Sequence, residues 1–161
     1  MKKPAEIRLA VDSDRDSIVA IAEAAYALYL SRMDKKPAPM TEDYAGRIAE
    51  QRVHVLESKE ETAAAAEGSR IAGFLVLVPE EEAMLLDNVA VDPAAQGRGF
   101  GKMLLLFAED KARQAGYGKI YLYTNEVMTE NLGLYTHLGY AETHRASDKG
   151  FNRVYMAKEL Q

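Results

Sequence analysis

Apolar residues along the chain follow two kinds of spacing, and segments of the two kinds alternate. Alternating or short continuous apolar runs predict seven strands, at residues 6–10, 53–57, 70–78, 84–91, 119–125, 140–145 and 153–158. Helical spacing predicts helices from the end of Asp12-Ser13-Asp14 to about residue 30, at 42–51, from the glycine turn to 116, and at 129–138. Residues 31–40, with two prolines, are predicted as a loop, and residues 60–68 as a hairpin connection.

This order of elements predicts an α/β fold with three layers, in which helices cover both faces of one central sheet. The strands between residues 70 and 91 should be antiparallel, whereas the strands on either side of the third helix should be parallel. We therefore expect a mixed, mostly antiparallel sheet of about six to seven strands. A length of 161 residues fits a single domain spanning residues 1–161.

The junction between strand 84–91 and the third helix carries three glycines at alternate positions. It reads VDPAAQGRGFG from residue 91 to residue 101. Glycine lets the backbone approach an anion closely, and the first turn of a helix offers unpaired N–H groups and the positive end of its dipole. The junction therefore predicts a site for a phosphate group.

Two common phosphate motifs do not fit these residues. A dinucleotide-binding turn would need a third glycine where Lys102 stands. A P-loop would need glycine at Gln96 and serine or threonine at Met103.

A third spacing, Val-x-x-x-x-Gln/Arg-x-x-Gly-x-Gly/Ala, is matched by Val91, Gln96, Gly99 and Gly101. It resembles the acyl-CoA pyrophosphate loop of the Gcn5-related N-acetyltransferase (GNAT) superfamily, and the order of elements over residues 7–160 is similar to that fold. The resemblance implies the acyl-CoA N-acyltransferase fold and acetyl-CoA as cosubstrate. It also implies that two central parallel strands splay apart and that the acyl-CoA arm lies between them.

The resemblance assigns mostly main-chain roles to the residues of this loop. Backbone groups of Val89 and Val91 would pair with the pantetheine amides, and N–H groups from Gln96 to Lys102 would surround the pyrophosphate. The implied cofactor-binding set in this region is Val89, Ala90, Val91, Gln96, Gly97, Arg98, Gly99, Phe100, Gly101 and Lys102. The alternative is a tight turn that only joins a strand to a helix.

Residues 134–140, LYTHLGY, resemble the family segment Leu-Tyr-x-x-Leu-Gly-Phe/Tyr, whose tyrosine lies near the CoA sulfur. The resemblance implies that Tyr135 protonates the departing thiolate. The family often has an asparagine seven residues earlier, where this chain has Met128. Asn131 shares a helix face with Tyr135 and could bond a pantetheine or phosphate oxygen instead. In the alternative interpretation, Tyr135 only packs and Asn131 is an exposed polar residue.

The attacking amine must lose a proton, so a base is also expected. The histone-acetylating branch of the family has a glutamate at the position of Leu85, whereas Asp87 matches the acidic position of polyamine-type acetyltransferases. Period-two alternation places Asp87 on the strand face of Leu85, Val89 and Val91. Asp87 either binds or deprotonates the substrate ammonium, or pairs structurally with an arginine such as Arg145.

Several other side chains are weaker candidates. Three histidines could act as a base: His54, His137 and His144. Four residues near the end of the first helix lie in the region that covers the acceptor pocket in relatives: Tyr26, Tyr29, Arg32 and Met33.

Composition narrows the function classes. A net charge of −5 argues against a general nucleic-acid binder, although Arg98 and Lys102 make the glycine turn locally basic. Cysteine is absent, no metal-ligand spacing is found, and no apolar run could span a membrane. We expect a cytoplasmic N-acetyltransferase acting by direct attack on a small amine or a peptide, and a homodimer is compatible with the sequence. The alternatives are a peptide or protein N-terminal acetyltransferase and a non-catalytic acyl-CoA sensor.

Overall fold

The computed structural model describes residues 5–58 and 70–161. The strands are β1 (Ala5–Leu9), β2 (Val53–Ser58), β3 (Arg70–Pro79), β4 (Met84–Val91), β5 (Lys119–Asn125), β6 (Ala141–Asp148) and β7 (Phe151–Glu159). The α-helices are α1 (Arg15–Tyr26), α2 (Tyr44–Ala49), α3 (Phe100–Gln114) and α4 (Thr129–His137). Short 3₁₀ segments lie at Asp12–Asp14, Ala27–Arg32, Ala38–Met40 and Pro93–Ala95. The predicted hairpin connection at 60–68 lies outside the described residues.

The seven strands form one sheet in the order β1-β2-β3-β4-β5-β7-β6. All neighbouring pairs are antiparallel except β4 and β5, which are parallel. The mixed, mostly antiparallel sheet predicted from the sequence is therefore confirmed.

Each face of the sheet carries its own apolar core. Helix α3 places Leu104 and Leu105 against a cluster that includes Leu75 of β3. Helix α1 places Ile18 against the opposite cluster, which includes Phe74. Each fully buried side chain of this size contributes about 1.5–3 kcal/mol of transfer free energy. The alternation of Phe74 and Leu75 between the two cores produces the predicted three layers.

The first helix changes its winding earlier than predicted. It is α-helical only to Tyr26 and continues as a 3₁₀ segment, Ala27–Arg32. In a 3₁₀ helix, residues three apart stand directly above one another. Tyr26 and Tyr29 are both buried, and their ring centroids are 6.1 Å apart. The tighter winding thus keeps two large aromatic side chains on the sheet side of the chain.

The parallel strands β4 and β5 pair over only a short stretch. Met84 lies opposite Ile120 and Leu85 lies opposite Tyr121, and no further pair among the described residues joins the two strands. Strand β4 remains paired with β3 as far as Val91, and β5 remains paired with β7. A gap therefore opens in the middle of the sheet, as the family resemblance implied.

A β-bulge in β4 lies at Asp87. Asn88 pairs with Val76 and Leu86 pairs with Leu77, so Asp87 is an extra residue with no partner on β3. A bulge interrupts the strict alternation of a strand. Val89 and Val91 pack on the α3 side, whereas Asp87 turns to the side of α2. The prediction that Asp87 shares a face with these two valines was wrong for this reason.

Candidate active site

The gap between β4 and β5 contains a cavity of about 370 Å³. Residues 86–89 of β4 and 122–125 of β5 line its two sides. The loop after α1 and the β6–β7 hairpin also line it, through residues such as Pro37 and Phe151, together with side chains of α1, α2 and α4. Asp87 and Tyr135, the two predicted catalytic residues, both line this one cavity.

The glycine turn follows β4 directly. Gly97 and Gly99 have φ angles of +87° and +80°, and a Cβ on either residue would meet no atom within 4 Å. Glycine is therefore required here for its backbone conformation, not because neighbouring atoms crowd it. Asp92 begins the turn: its side chain accepts a hydrogen bond from the Ala94 N–H at 3.0 Å and pairs with Arg70 at 2.7 Å.

The first turn of α3 offers backbone donors to a ligand. Within the described residues, no side chain caps the helix at Gly99, so its first N–H groups lack a capping acceptor. Phe100 is buried in the α3 core, and only its backbone can contact a ligand. A Cβ on Gly101 would meet only a methyl group of Val91, at 3.9 Å. The exposed polar side chains at this turn are Gln96, Arg98 and Lys102.

Asp87 is held by a phenol and a guanidinium. Tyr123 donates a hydrogen bond to it at 3.0 Å, and the Arg47 guanidinium lies 3.5 Å from its carboxylate. Burial raises the pKa of Asp87, and the bond from Tyr123 acts against that rise. The suggested partner Arg145 is wrong, since Arg145 pairs with Glu142 at 3.1 Å on β6.

Tyr135 lies on the buried side of α4. Its ring centroid is 6.0 Å from that of Tyr140. Burial raises the pKa of Tyr135 above the usual range of a phenol, so its hydroxyl is protonated at neutral pH. Asn131 is half-buried, is not among the residues lining the cavity, and points its amide towards the Met128 sulfur at 3.9 Å. Met128 itself lines the cavity.

A buried hydrogen-bond network beside the bulge was not predicted. Tyr26 donates to the Asn88 side-chain oxygen at 2.8 Å, and the Asn88 amide donates to the Tyr44 hydroxyl at 2.9 Å. Tyr44 in turn donates to the Pro39 carbonyl at 2.5 Å. The network joins α1, α2 and the loop after α1 to β4. An asparagine inside a mostly apolar strand was the signal that could have revealed it.

The histidines lie away from the cavity. Burial lowers the pKa of His54 to about 4, and its ring packs 4.9 Å from that of Phe107 on α3. His137 and His144 are exposed, and His144 stacks on Tyr155 at 4.3 Å. None of the three lines the cavity.

The four candidates near the end of α1 divide into two pairs. Tyr26 and Met33 line the cavity. Tyr29 is buried below the Arg32 guanidinium, which lies 5.3 Å from its ring. Arg32 hydrogen-bonds to Glu130 of α4 at 2.8 and 2.9 Å, so it links the loop to α4.

Residues 5–58 and 70–161 contain no cluster of three His, Asp or Glu side chains that could hold a metal ion. In the same part of the chain, none of the helices is both long and apolar enough to cross a membrane.

Residues 21–140 match the sequence profile of the Acetyltransferase (GNAT) family. The chain belongs to this family. Among curated relatives, the mycothiol acetyltransferase of Nocardia farcinica is 45% identical over 56 residues, which are 35% of this chain and 18% of the relative. The mycothiol acetyltransferase of Jonesia denitrificans is 37% identical over 81 residues, which are 49% of this chain and 26% of the relative. The chain thus spans only a minor part of these curated relatives.

Solved structures share the fold over nearly the whole chain. The paiA N-acetyltransferase from Thermoplasma acidophilum, in complex with coenzyme A, has a TM-score of 0.76 at 16% identity and covers 97% of this chain and 99% of its own. The putative acetyltransferase yncA from Salmonella typhimurium, with acetyl-CoA, has a TM-score of 0.69 at 21% identity and covers 99% and 95%. These likenesses support the GNAT fold predicted from the glycine turn and the order of elements.

Proposed function

We propose that this GNAT protein transfers an acetyl group from acetyl-CoA to a primary amine of a small molecule or peptide by direct attack. The observation that carries the proposal is that Asp87 and Tyr135 line one cavity in the gap between β4 and β5. A carboxylate that can accept a proton and a phenol that can donate one therefore border the same space.

The donor would lie along the open edge of β4. Alternate residues of an antiparallel strand bond to the same neighbour. The Asp92 N–H bonds to the Ala72 carbonyl of β3, so Ala90 also faces β3, whereas Val89 and Val91 would offer their backbone groups to the pantetheine amides across the gap. The Val89 carbonyl also accepts a hydrogen bond from Tyr26 at 3.3 Å. The pyrophosphate would be held by N–H groups of residues 96–102, at the positive end of α3. The uncapped helix start and the two glycines with positive φ fit an anion at this position. When bound, acetyl-CoA supplies the acetyl group as a reactive thioester.

Two side chains would move the protons. The Asp87 carboxylate orients the acceptor ammonium and takes its proton, so that the nitrogen can attack the acetyl carbon. A nitrogen–carbon bond would form, the carbon–sulfur bond would break, and the Tyr135 hydroxyl would give its proton to the departing sulfur. The nitrogen would lose its second proton as the amide forms, and that proton would restore the Tyr135 hydroxyl. Asn131 would have only a supporting role near the donor, since it does not line the cavity.

A contact above the cavity favours a small acceptor over a peptide. The Lys35 ammonium donates to the Lys149 carbonyl and lies 4.6 Å from the centre of the Phe151 ring. The loop after α1 is thus attached to the β6–β7 hairpin. An N-terminal acetyltransferase would need an open groove at this place.

The test is release of CoA thiol from acetyl-CoA with a panel of primary amines. We expect amine-dependent release by the wild-type protein and much slower release by Asp87→Asn and Tyr135→Phe. The matched control Asp110→Asn, on the exposed side of α3, should release thiol as the wild type does. Tight binding of CoA with no amine-dependent release by the wild type would contradict the proposal and favour a non-catalytic acyl-CoA sensor.

A further inference from the structure

The cavity carries charge of opposite sign at its two ends. The first end lies where β4 meets α2. There Glu42 and Asp87 flank Arg47, with Glu42 at 2.6 Å and Asp87 at 3.5 Å from its guanidinium. All three residues line the cavity. Two carboxylates against one guanidinium leave this end with an excess of negative charge.

The second end lies at the β6–β7 hairpin and is positive. Lys149 and Arg153 both line the cavity there, and Lys35 adds a third cation through its contact with the Lys149 carbonyl. The carboxylate that pairs with Arg153 is Asp148, at 2.6 Å. Across the described ranges, no carboxylate lies within 4.0 Å of the Lys149 ammonium.

One aromatic ring separates the two ends. The Tyr123 hydroxyl donates to Asp87 at 3.0 Å, and the Arg153 guanidinium lies 4.3 Å from the centre of the same ring. Phe151 continues this wall, 5.7 Å from the Arg153 guanidinium. A ligand reaching from the negative to the positive end would lay a short methylene chain along these rings.

We propose that the acceptor is a small zwitterion, with its primary amine at Asp87 and a carboxylate at Lys149 and Arg153. The inference rests on the proposed function and adds the substrate class. A carboxylate at the positive end would give the Lys149 ammonium the anionic partner that it lacks among the described residues. A simple diamine would place its second ammonium beside Lys149 and Arg153, where like charges repel it.

The test compares three acceptors of similar length: 5-aminopentanoate, 5-aminopentanamide and 1,5-diaminopentane. We expect kcat/KM for thiol release to be at least tenfold higher with the carboxylate than with either other compound. Lys149→Met should reduce this preference about two- to fivefold, the range expected for an exposed ion pair. Arg153→Met should reduce it more, since Arg153 is the more buried cation.

The matched control is Lys36→Met, an exposed lysine on the same loop as Lys35 that does not line the cavity. It should keep the full preference. A fourth acceptor, 3-aminopropyl phosphate, tests which anion the positive end binds. A higher kcat/KM with this phosphate than with 5-aminopentanoate would overturn the assignment of a carboxylate.

Failure of the inference and failure of the proposed function give different results. Efficient acetylation of the diamine or the carboxamide, with the carboxylate disfavoured, would overturn the zwitterion and leave the function standing. If no amine releases thiol, the function fails, and calorimetric titration of the CoA complex with the three compounds still decides the inference. Tighter binding of 5-aminopentanoate would support it, whereas equal or weaker binding would overturn it.

Discussion

Replacing Gly99 by leucine separates the two interpretations of the glycine turn. Gly99 has φ +80°, and a Cβ added there would meet no atom within 4 Å, so leucine has open space around it in the free protein. The substitution should lower the free energy of unfolding by about 1–2 kcal/mol, because leucine must adopt the left-handed backbone conformation. For a chain of this length, such a loss lowers Tm by about 2–8 °C.

The effect on the donor should be larger. Leucine at this position would stand at the uncapped start of α3, where the pyrophosphate is proposed to lie. A hydrogen bond to a charged group contributes about 1.5–3 kcal/mol, so losing one lowers CoA affinity about 10- to 150-fold. If the turn only joins a strand to a helix, affinity should not change.

Gly116 provides a matched control at the other end of the same helix. It has φ +90°, and a Cβ added to it would likewise meet no atom within 4 Å. Gly116→Leu should therefore lose a similar amount of stability and keep its CoA affinity.

The assay is thermal unfolding with and without CoA, backed by calorimetric titration. At a concentration 100 times Kd, CoA should stabilise the wild type and Gly116→Leu by about 2.7 kcal/mol. Tm should then rise by about 5–11 °C in both proteins and by about 1–6 °C in Gly99→Leu, depending on how much affinity is lost. Wild-type affinity in Gly99→Leu, or an equal loss in Gly116→Leu, would refute the assignment of the turn as the pyrophosphate site.

Three further variants test the cavity. Tyr135→Phe should lower kcat about 100-fold or more at unchanged acetyl-CoA affinity, because the proposed role of the hydroxyl is to protonate the departing thiolate. Asp87→Asn should remove the acid limb of the pH–rate profile, which lies above the ordinary carboxyl pKa of 3.8 because burial raises the pKa of Asp87. Burial favours the neutral carboxyl of Asp87 in the folded protein. The free energy of unfolding of the wild type, relative to that of Asp87→Asn, should therefore fall as pH rises from 3.8 through the raised pKa of Asp87. Urea unfolding at a series of pH values measures this difference. Asn88→Leu should cost about 1–3 kcal/mol in the free energy of unfolding, because the hydroxyls of Tyr26 and Tyr44 lose a buried partner.

Each of these three predictions has an outcome that would contradict it. Tyr140→Phe is the control for Tyr135, because the Tyr140 hydroxyl is buried without a hydrogen-bond partner among the described residues. If it slows turnover as much as Tyr135→Phe, the acid role of Tyr135 is wrong. An acid limb that survives in Asp87→Asn assigns the base elsewhere. Unchanged unfolding of Asn88→Leu would mean that the network adds nothing to stability.

The sequence carried enough to predict the fold and the glycine turn, because both depend on local patterns. Strand β4 was predicted with its observed bounds, and positive φ at Gly97 and Gly99 is a property that only glycine adopts without strain. The parallel pair followed from the helix between its strands. Local spacing was sufficient for each of these features.

The details of the cavity depend on pairing between distant segments. The bulge at Asp87 exists only as a mismatch between β4 and β3, so the alternation within β4 cannot reveal it. One of the two alternatives for Asp87 was a structural pair with an arginine such as Arg145, whereas the arginine beside it is Arg47 of α2. Charged side chains far apart in sequence can be paired only once the register of the strands is known.

Because β4 and β5 pair over only a short stretch, each of them has an unpaired edge in the interior of the sheet. Among residues 5–58 and 70–161, two paired positions join the half-sheet β1–β4 to the half-sheet β5–β7. Open strand edges at the rim of a sheet attract strands from other chains, but these edges face the cavity inside the sheet. A ligand that hydrogen-bonds along the β4 edge would occupy the gap between β4 and β5 and make contact with both halves of the sheet. Amide hydrogen exchange along β4 and β5 should then be slower with the ligand bound than in the free protein, without a change in overall shape.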